Sequence, residues 1–154
     1  MEIQCTDKKT FELTDGAGKL GHISYESLFT HSGIAVVGNE HFEIDTAGIF
    51  NSTISVTHEA INVASLQMSW KGDIIIFFQN SGEFILKANG IFRSKYVLED
   101  SNKQPLLLLT PDFNWRKFNY NYGITYDKKP ENILLVLLAA YAANYYIAAM
   151  SGVY

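Results

Sequence analysis

The sequence predicts a mainly β protein: about a dozen short antiparallel strands, which hairpins can wind into a barrel, followed by one hydrophobic C-terminal α-helix. Three observations carry this. From residue 2 to about 126, runs rich in Val, Ile, Phe, Tyr and Thr alternate with Gly, Asn and Asp, as half-buried pleated strands and their turns do. The connections "DGAGK", "GNE", "TAG", "KGD", "NSG" and "ANG" are of hairpin length, which makes sequence neighbours antiparallel. Finally, the chain closes on "ENILLVLLAAYAANYYIAAMSGVY", in which no charged side chain follows Glu131.

Strands are predicted near 10–14, 19–25, 33–38, 41–45, 48–57, 61–70, 73–79, 83–88, 92–98, 105–109 and 114–125, the last as one strand or broken in two. No Pro-, Gly- or Ser-rich linker divides them, so residues 1–154 form a single domain, with strands over 1–127 and a helix over 130–150. An aromatic–any–aliphatic unit followed by a polar turn recurs at Phe11–Gly16, Phe42–Asp45, Phe84–Lys87 and Tyr96–Asp100. Its irregular spacing excludes a solenoid and fits hairpins in general. Two strands, Ile74–Phe78 and Leu106–Leu109, are apolar on both faces. They require cover on both sides, a partner or lipid against them, or an oligomer formed through them.

The tail has three placements: across a membrane, inside the protein's core, or on the surface with its face buried in an oligomer. Ile133 to Met150 is 18 residues, roughly 27 Å as a helix, just under the bilayer's hydrocarbon thickness of about 30 Å. Lys128 and Lys129 precede it as a positive flank would, with Pro130 and Glu131 expected at the helix start. A membrane tail would keep Tyr at its ends, however, whereas Tyr141, Tyr145 and Tyr146 crowd the middle beside Asn144 and six alanines. A helix apolar all round also suits a protein core, with small residues where strands surround it closely.

Composition narrows function. The net charge is −4, from 12 Lys plus Arg against 16 Asp plus Glu, so nucleic acid is not an expected partner. Cys5 is the one cysteine, which excludes a disulfide framework and a Cys-rich zinc site. The N-terminus is polar without an apolar h-region, which makes the cytoplasm the default compartment, with membrane association through the tail as the alternative.

No phosphate loop, dinucleotide fingerprint or nucleophile elbow is present, so no catalytic residue and no cofactor is assigned. "His58-Glu59-Ala60-Ile61-Asn62" begins like a zinc-protease motif but has Asn where the second His is needed. His41, Glu43 and Asp45 alternate along one strand face, a weak metal-ligand candidate against the plainer reading of a solvated face over Phe42 and Ile44. The segment Glu83–Leu98 reads as a hairpin whose three-residue loop, Asn89-Gly90-Ile91, pairs Lys87 with Arg93 and Ile85 with Lys95. That collects Lys87, Arg93 and Lys95 as a candidate anion-binding face, or as the charges that keep a strand from aggregating. Residues 111–122 interleave aromatics with Asn, Arg116 and Lys117. Stacking on nucleic acid is one use of such a pattern; a strand with Phe118, Tyr120 and Tyr122 on its inner face is the preferred one.

The units "FELTDGAGKL" and "YVLEDSNKQPLLLL", with the tail Ile133–Ala149, give the chain a plan that resembles the tubby-like superfamily: tubby proteins, LURP-one-related proteins and phospholipid scramblases. The resemblance lies in element order and hydropathy over the whole chain, and this chain is shorter than typical members. It implies that the strands close into a barrel with the C-terminal helix threaded through its centre. It also implies a non-enzymatic binding or scaffold role toward an anionic phospholipid headgroup or a protein. Tubby proteins use a Lys-x-Arg pair for phosphoinositides; the order here is Arg93-Ser94-Lys95. The alternatives are a tail-anchored protein with a cytosolic β-domain, and an enzyme without a recognisable motif.

Overall fold

The computed structural model describes residues 1–16, 18–27, 30–46, 53–89 and 94–151. It contains β1 Glu2–Cys5, β2 Thr10–Asp15, β3 Gly18–Tyr25, β4 Gly33–Val37, β5 Glu40–Thr46, β6 Thr53–His58, β7 Ile61–Met68, β8 Ile74–Phe78, β9 Gly82–Asn89, β10 Lys95–Glu99, β11 Pro105–Asn114, β12 Asn119–Thr125 and α1 Ile133–Ser151. The twelve strands form one closed antiparallel ring in sequence order, sealed by β1 between β2 and β12.

Alternation builds the wall. Along β2, Phe11 and Leu13 point inward and are buried while their neighbours are half-exposed; β3, β5, β6 and β7 repeat the pattern. The two strands that are apolar throughout obey the same rule. Ile74, Ile76 and Phe78 are buried, Ile75 is half-buried and Phe77 is exposed. Leu107 and Leu109 are buried, with Leu106 and Leu108 half-buried on the outside.

The first half of the helix is buried. Leu134 to Ala143 are ten consecutive buried residues, and about 3.6 residues complete a turn, so no face of this stretch is exposed. The helix meets β3 and β4, and also β8 and β9, which stand about half-way round the ring from them. The buried stretch thus belongs to a helix that meets strands on opposite sides of the ring. Ala139, Ala140, Ala142 and Ala143 are fully buried; their small side chains let the wall approach. At Gly21 on β3 a methyl group would meet the Val36 carbonyl oxygen at 2.5 Å and Leu137 of the helix at 3.1 Å, so glycine is required by close approach there.

Several expectations are corrected. The helix begins at Ile133, later than Pro130 and Glu131: Asn132 caps it, its Oδ1 accepting the Leu135 N–H at 3.1 Å. β1 is an additional strand. Of the two readings of 114–125, the broken one holds, because Trp115–Phe118 form a turn between β11 and β12. β11 instead runs on through Pro111. Past the Leu109–Tyr96 pair β10 no longer accompanies it, and a strand flanked on one side tolerates proline. The β9–β10 register also differs: Asn89 faces Lys95, and Lys87 faces Val97. The loop is therefore longer than three residues and Ile85 faces Glu99. Of the predicted strand 48–57, residues 48–52 lie outside the described residues.

Candidate binding surface

Because every neighbour is antiparallel, the connections after odd-numbered strands all lie at one end of the ring. The helix starts after β12 at the opposite end and runs toward this one, where Tyr141 and Tyr145 reach the β3–β4 connection through His31. Four of these connections follow one another around the rim: β7–β8, β9–β10, β11–β12 and β1–β2.

Each turn has a local reason. Asn114 Oδ1 accepts the N–H groups of Arg116 (3.1 Å) and Lys117 (3.3 Å), and Lys117 N–H also reaches the Asn114 carbonyl (3.2 Å). This side-chain-closed turn leaves Trp115 and Phe118 pointing outward, 77% and 68% exposed. Phe113 supports Trp115 from beneath, ring centroids 4.8 Å apart, and itself packs on Tyr120 at 5.2 Å. Phe118 has φ +53°, a left-handed conformation that a bulky residue adopts only under constraint. The β1–β2 turn is closed by Asp7, whose Oδ1 accepts the Lys9 N–H at 2.7 Å; that bond holds its carboxyl below the usual range. Asn119 Nδ2 donates to the Lys8 carbonyl at 3.2 Å and ties these two turns together. In the β7–β8 turn Ser69 N–H donates to the Asp73 carbonyl at 2.7 Å, Gly72 takes φ +90°, and Trp70 stands 91% exposed with Lys71 Nζ 5.5 Å from its ring centroid.

The result is a basic, aromatic rim. Lys8, Lys9, Lys71, Arg116 and Lys117 are exposed on these connections, with Lys95 exposed at the first position of β10. Asp7 and Asp73 are the acidic residues among the described residues of the same connections, and Glu26 is exposed on the β3–β4 connection at the same end. The opposite end mixes Lys103, Lys128 and Lys129 with Asp15, Glu40, Glu59, Asp100, Asp127 and Glu131, and there Lys129 is ion-paired with Asp15. Of the six large apolar side chains exposed among the described residues, four (Trp70, Trp115, Phe118 and Met150) are at the basic end.

The residues singled out from sequence are distributed differently. Lys87 and Lys95 do share the outer face, as diagonal neighbours about 7–8 Å apart. Lys87, however, is held by Glu99 at 2.9 Å, and the Glu99 carboxylate, by hydrogen bond and by charge, raises its pKa. Arg93 lies outside the described residues. His41, Glu43 and Asp45 are exposed on the outer face of β5, and among the described residues no three His, Cys, Asp or Glu side chains converge as metal ligands would. His58 turns back onto β5, its Nδ1 3.0 Å from the His41 carbonyl oxygen. The outward-facing Leu106 and Leu108 line a cleft of about 580 Å³ on the β9–β11 wall, with Val97 and the Lys87–Glu99 pair. Phe118, expected inside a strand, is on the exposed turn, while Tyr122 is buried as expected.

Sequence reasoning misses Trp70, Lys71, Lys8 and Lys9 as members of one surface. The available signal is parity: Trp70-Lys71 and Trp115-Arg116-Lys117-Phe118 both follow odd-numbered strands, a count that β1 makes correct. No family model, curated protein or solved structure matches the chain.

Proposed function

We propose that the protein is a non-enzymatic binding module that recognises an anionic, phosphate-bearing ligand at its basic rim. The observation that carries this is the segregation of charge: a chain of net charge −4 gathers Lys8, Lys9, Lys71, Lys95, Arg116 and Lys117 at one end. We read the barrel interior as filled by the helix, so binding is a property of the outside. Attraction to an anionic lipid surface is worth about 1 kcal/mol per basic residue, enough for several residues acting together to hold a folded domain there. The tubby-like resemblance supports the same ligand class. We read the apolar tail as core, since its first ten helical residues beyond Ile133 are occupied by contacts with the strands.

The test is co-sedimentation of the full chain with phosphatidylcholine vesicles, with and without anionic phospholipid, at low and raised salt. Binding is expected only with anionic lipid, weakening as salt screens it, and falling in an Arg116→Glu, Lys117→Glu variant that still folds. An Arg93→Ala, Lys95→Ala variant asks the same of the β9–β10 connection. Equal binding to neutral vesicles, or none to anionic ones, overturns the reading.

A further inference from the structure

We infer that the phosphate groups recognised at the rim are those of an intact bilayer, on which the barrel stands end-on with Trp70, Trp115 and Phe118 in the layer between headgroups and acyl chains. This rests on the ligand class proposed above and adds its source. A site for a soluble phosphate gathers its donors into a concavity. Here the basic side chains are spread over the β7–β8, β11–β12 and β1–β2 connections and the first position of β10, while the clefts on the β9–β11 wall and beside residues 127–132 are lined by none of them.

Large aromatic side chains standing in water between cations need a reason. Trp70 and Trp115 are the two tryptophans of the chain, and both project from the basic rim at 91% and 77% exposure. Tryptophan favours the membrane interface, where its ring is half in hydrocarbon and its N–H in the headgroup layer. Phe118 holds its ring out from a left-handed backbone position, φ +53°, where glycine would be free of strain. Lys71, beside the Trp70 ring, and Arg116 and Lys117, between Trp115 and Phe118 in sequence, place cations at headgroup level beside each anchor. The surface is thus complementary to a lipid layer in charge and in polarity.

Because both tryptophans sit at the rim, the intact protein carries its own probe. With vesicles containing anionic phospholipid, tryptophan emission should shift to the blue and be quenched by lipids brominated along the acyl chain. Inorganic phosphate at matched concentration should leave the spectrum unchanged. Phe118→Gly, which relieves the backbone and keeps both tryptophans, should stay folded and lose about tenfold in vesicle affinity. Protein that sediments with anionic vesicles while its emission stays unshifted and unquenched leaves headgroup recognition standing and overturns insertion. A full spectral shift with inorganic phosphate alone also overturns it, in favour of a soluble ligand. Failure to sediment with anionic vesicles removes both.

Discussion

Asn144 shows how one polar residue is accommodated in an otherwise apolar filling. Its Oδ1 accepts the Tyr122 hydroxyl at 2.6 Å and its Nδ2 donates to the Tyr25 hydroxyl at 3.2 Å, so the amide links the helix to β12 and β3. Burial pushes both phenols well above their ordinary range, which keeps them neutral and able to donate. Asn144→Leu leaves both hydroxyls without this partner and should cost about 1–3 kcal/mol. In a thermal-unfolding double-mutant cycle with Tyr122→Phe, the two losses should be less than additive; strict additivity would mean the bond is not what the asparagine supplies. His31 gives a second residue-level test. Its ring packs on Tyr145 at 5.2 Å and burial lowers its pKa from the ordinary 6.5. The unfolded chain therefore takes up this proton at higher pH than the native protein. The stability contribution is complete above 6.5 and declines as pH falls from there toward the depressed native value. His22, lowered by burial and by Lys19, adds in the same direction, whereas the lowered carboxylates Asp7 and Asp15 act at more acid pH. Melting temperature should thus drop between neutral and mildly acid pH. His31→Asn, a residue that tolerates the φ of +60° found there, should flatten part of that slope; an unchanged slope would show that His31 is not its source.

At the scale of elements, the helix contributes Leu134 to Ala143 and Tyr146 to the hydrophobic core shared with the strands. Leu135, Val136, Leu137, Leu138 and Tyr141 are among its buried side chains, and fully burying each of the large ones is worth roughly 1.5–3 kcal/mol. The sum rivals a typical domain stability of about 5–15 kcal/mol. Removing residues 131–154 should therefore leave a molten or insoluble β-domain by circular dichroism and size-exclusion chromatography. A well-folded truncated domain with the parent melting temperature would make the tail an appendage. The elements are legible in the sequence where pattern and length agree: β-rich runs bounded by turn residues mark β2 through β5, β7 and β8 within a few residues, and the all-round apolar tail marks α1. β1 is not, because a four-residue strand with two inward positions, Ile3 and Cys5, has too little periodicity to stand out. Pro111 reads as a boundary because a one-sided strand cannot be recognised before its neighbours are known. The hairpin at Lys87 is misregistered for a related reason: Asn89-Gly90 suggests a turn type, but the inward demands of Leu86, Tyr96 and Leu98 set the pairing. The rim stays hidden because its members are distant in sequence and meet only once the direction of every strand is known.

The whole molecule depends on the smallest strand. β1 pairs on one side with β2, from Glu2 opposite Thr14 to Cys5 opposite Phe11, and on the other with β12, where Glu2 faces Gly123 and Ile3 faces Tyr122. Where the ladder to β12 ends, the Asn121 side chain continues it, its Oδ1 accepting the Cys5 N–H at 3.0 Å. A closed ring has no unpaired edge to offer another chain. An even number of alternating strands also lets every pair be antiparallel and sends all connections after odd strands to one end, which is what gathers the basic and aromatic turns together. Without β1 the neighbours at the gap would be β2 and β12, which run in the same direction. Closure would then demand a parallel pair in a narrower ring around a helix whose wall already leaves no room at Gly21. Deleting residues 1–5 should therefore give an open sheet with two exposed edges, seen as aggregates or oligomers by size-exclusion chromatography with β-rich circular dichroism. Ile3→Ala separates loss of the seam from loss of core volume. It keeps the strand and its hydrogen bonds, and should give a monomer destabilised by about 2–5 kcal/mol. A monomeric deletion variant with the melting temperature of the full chain would show that the ring does not need its seam.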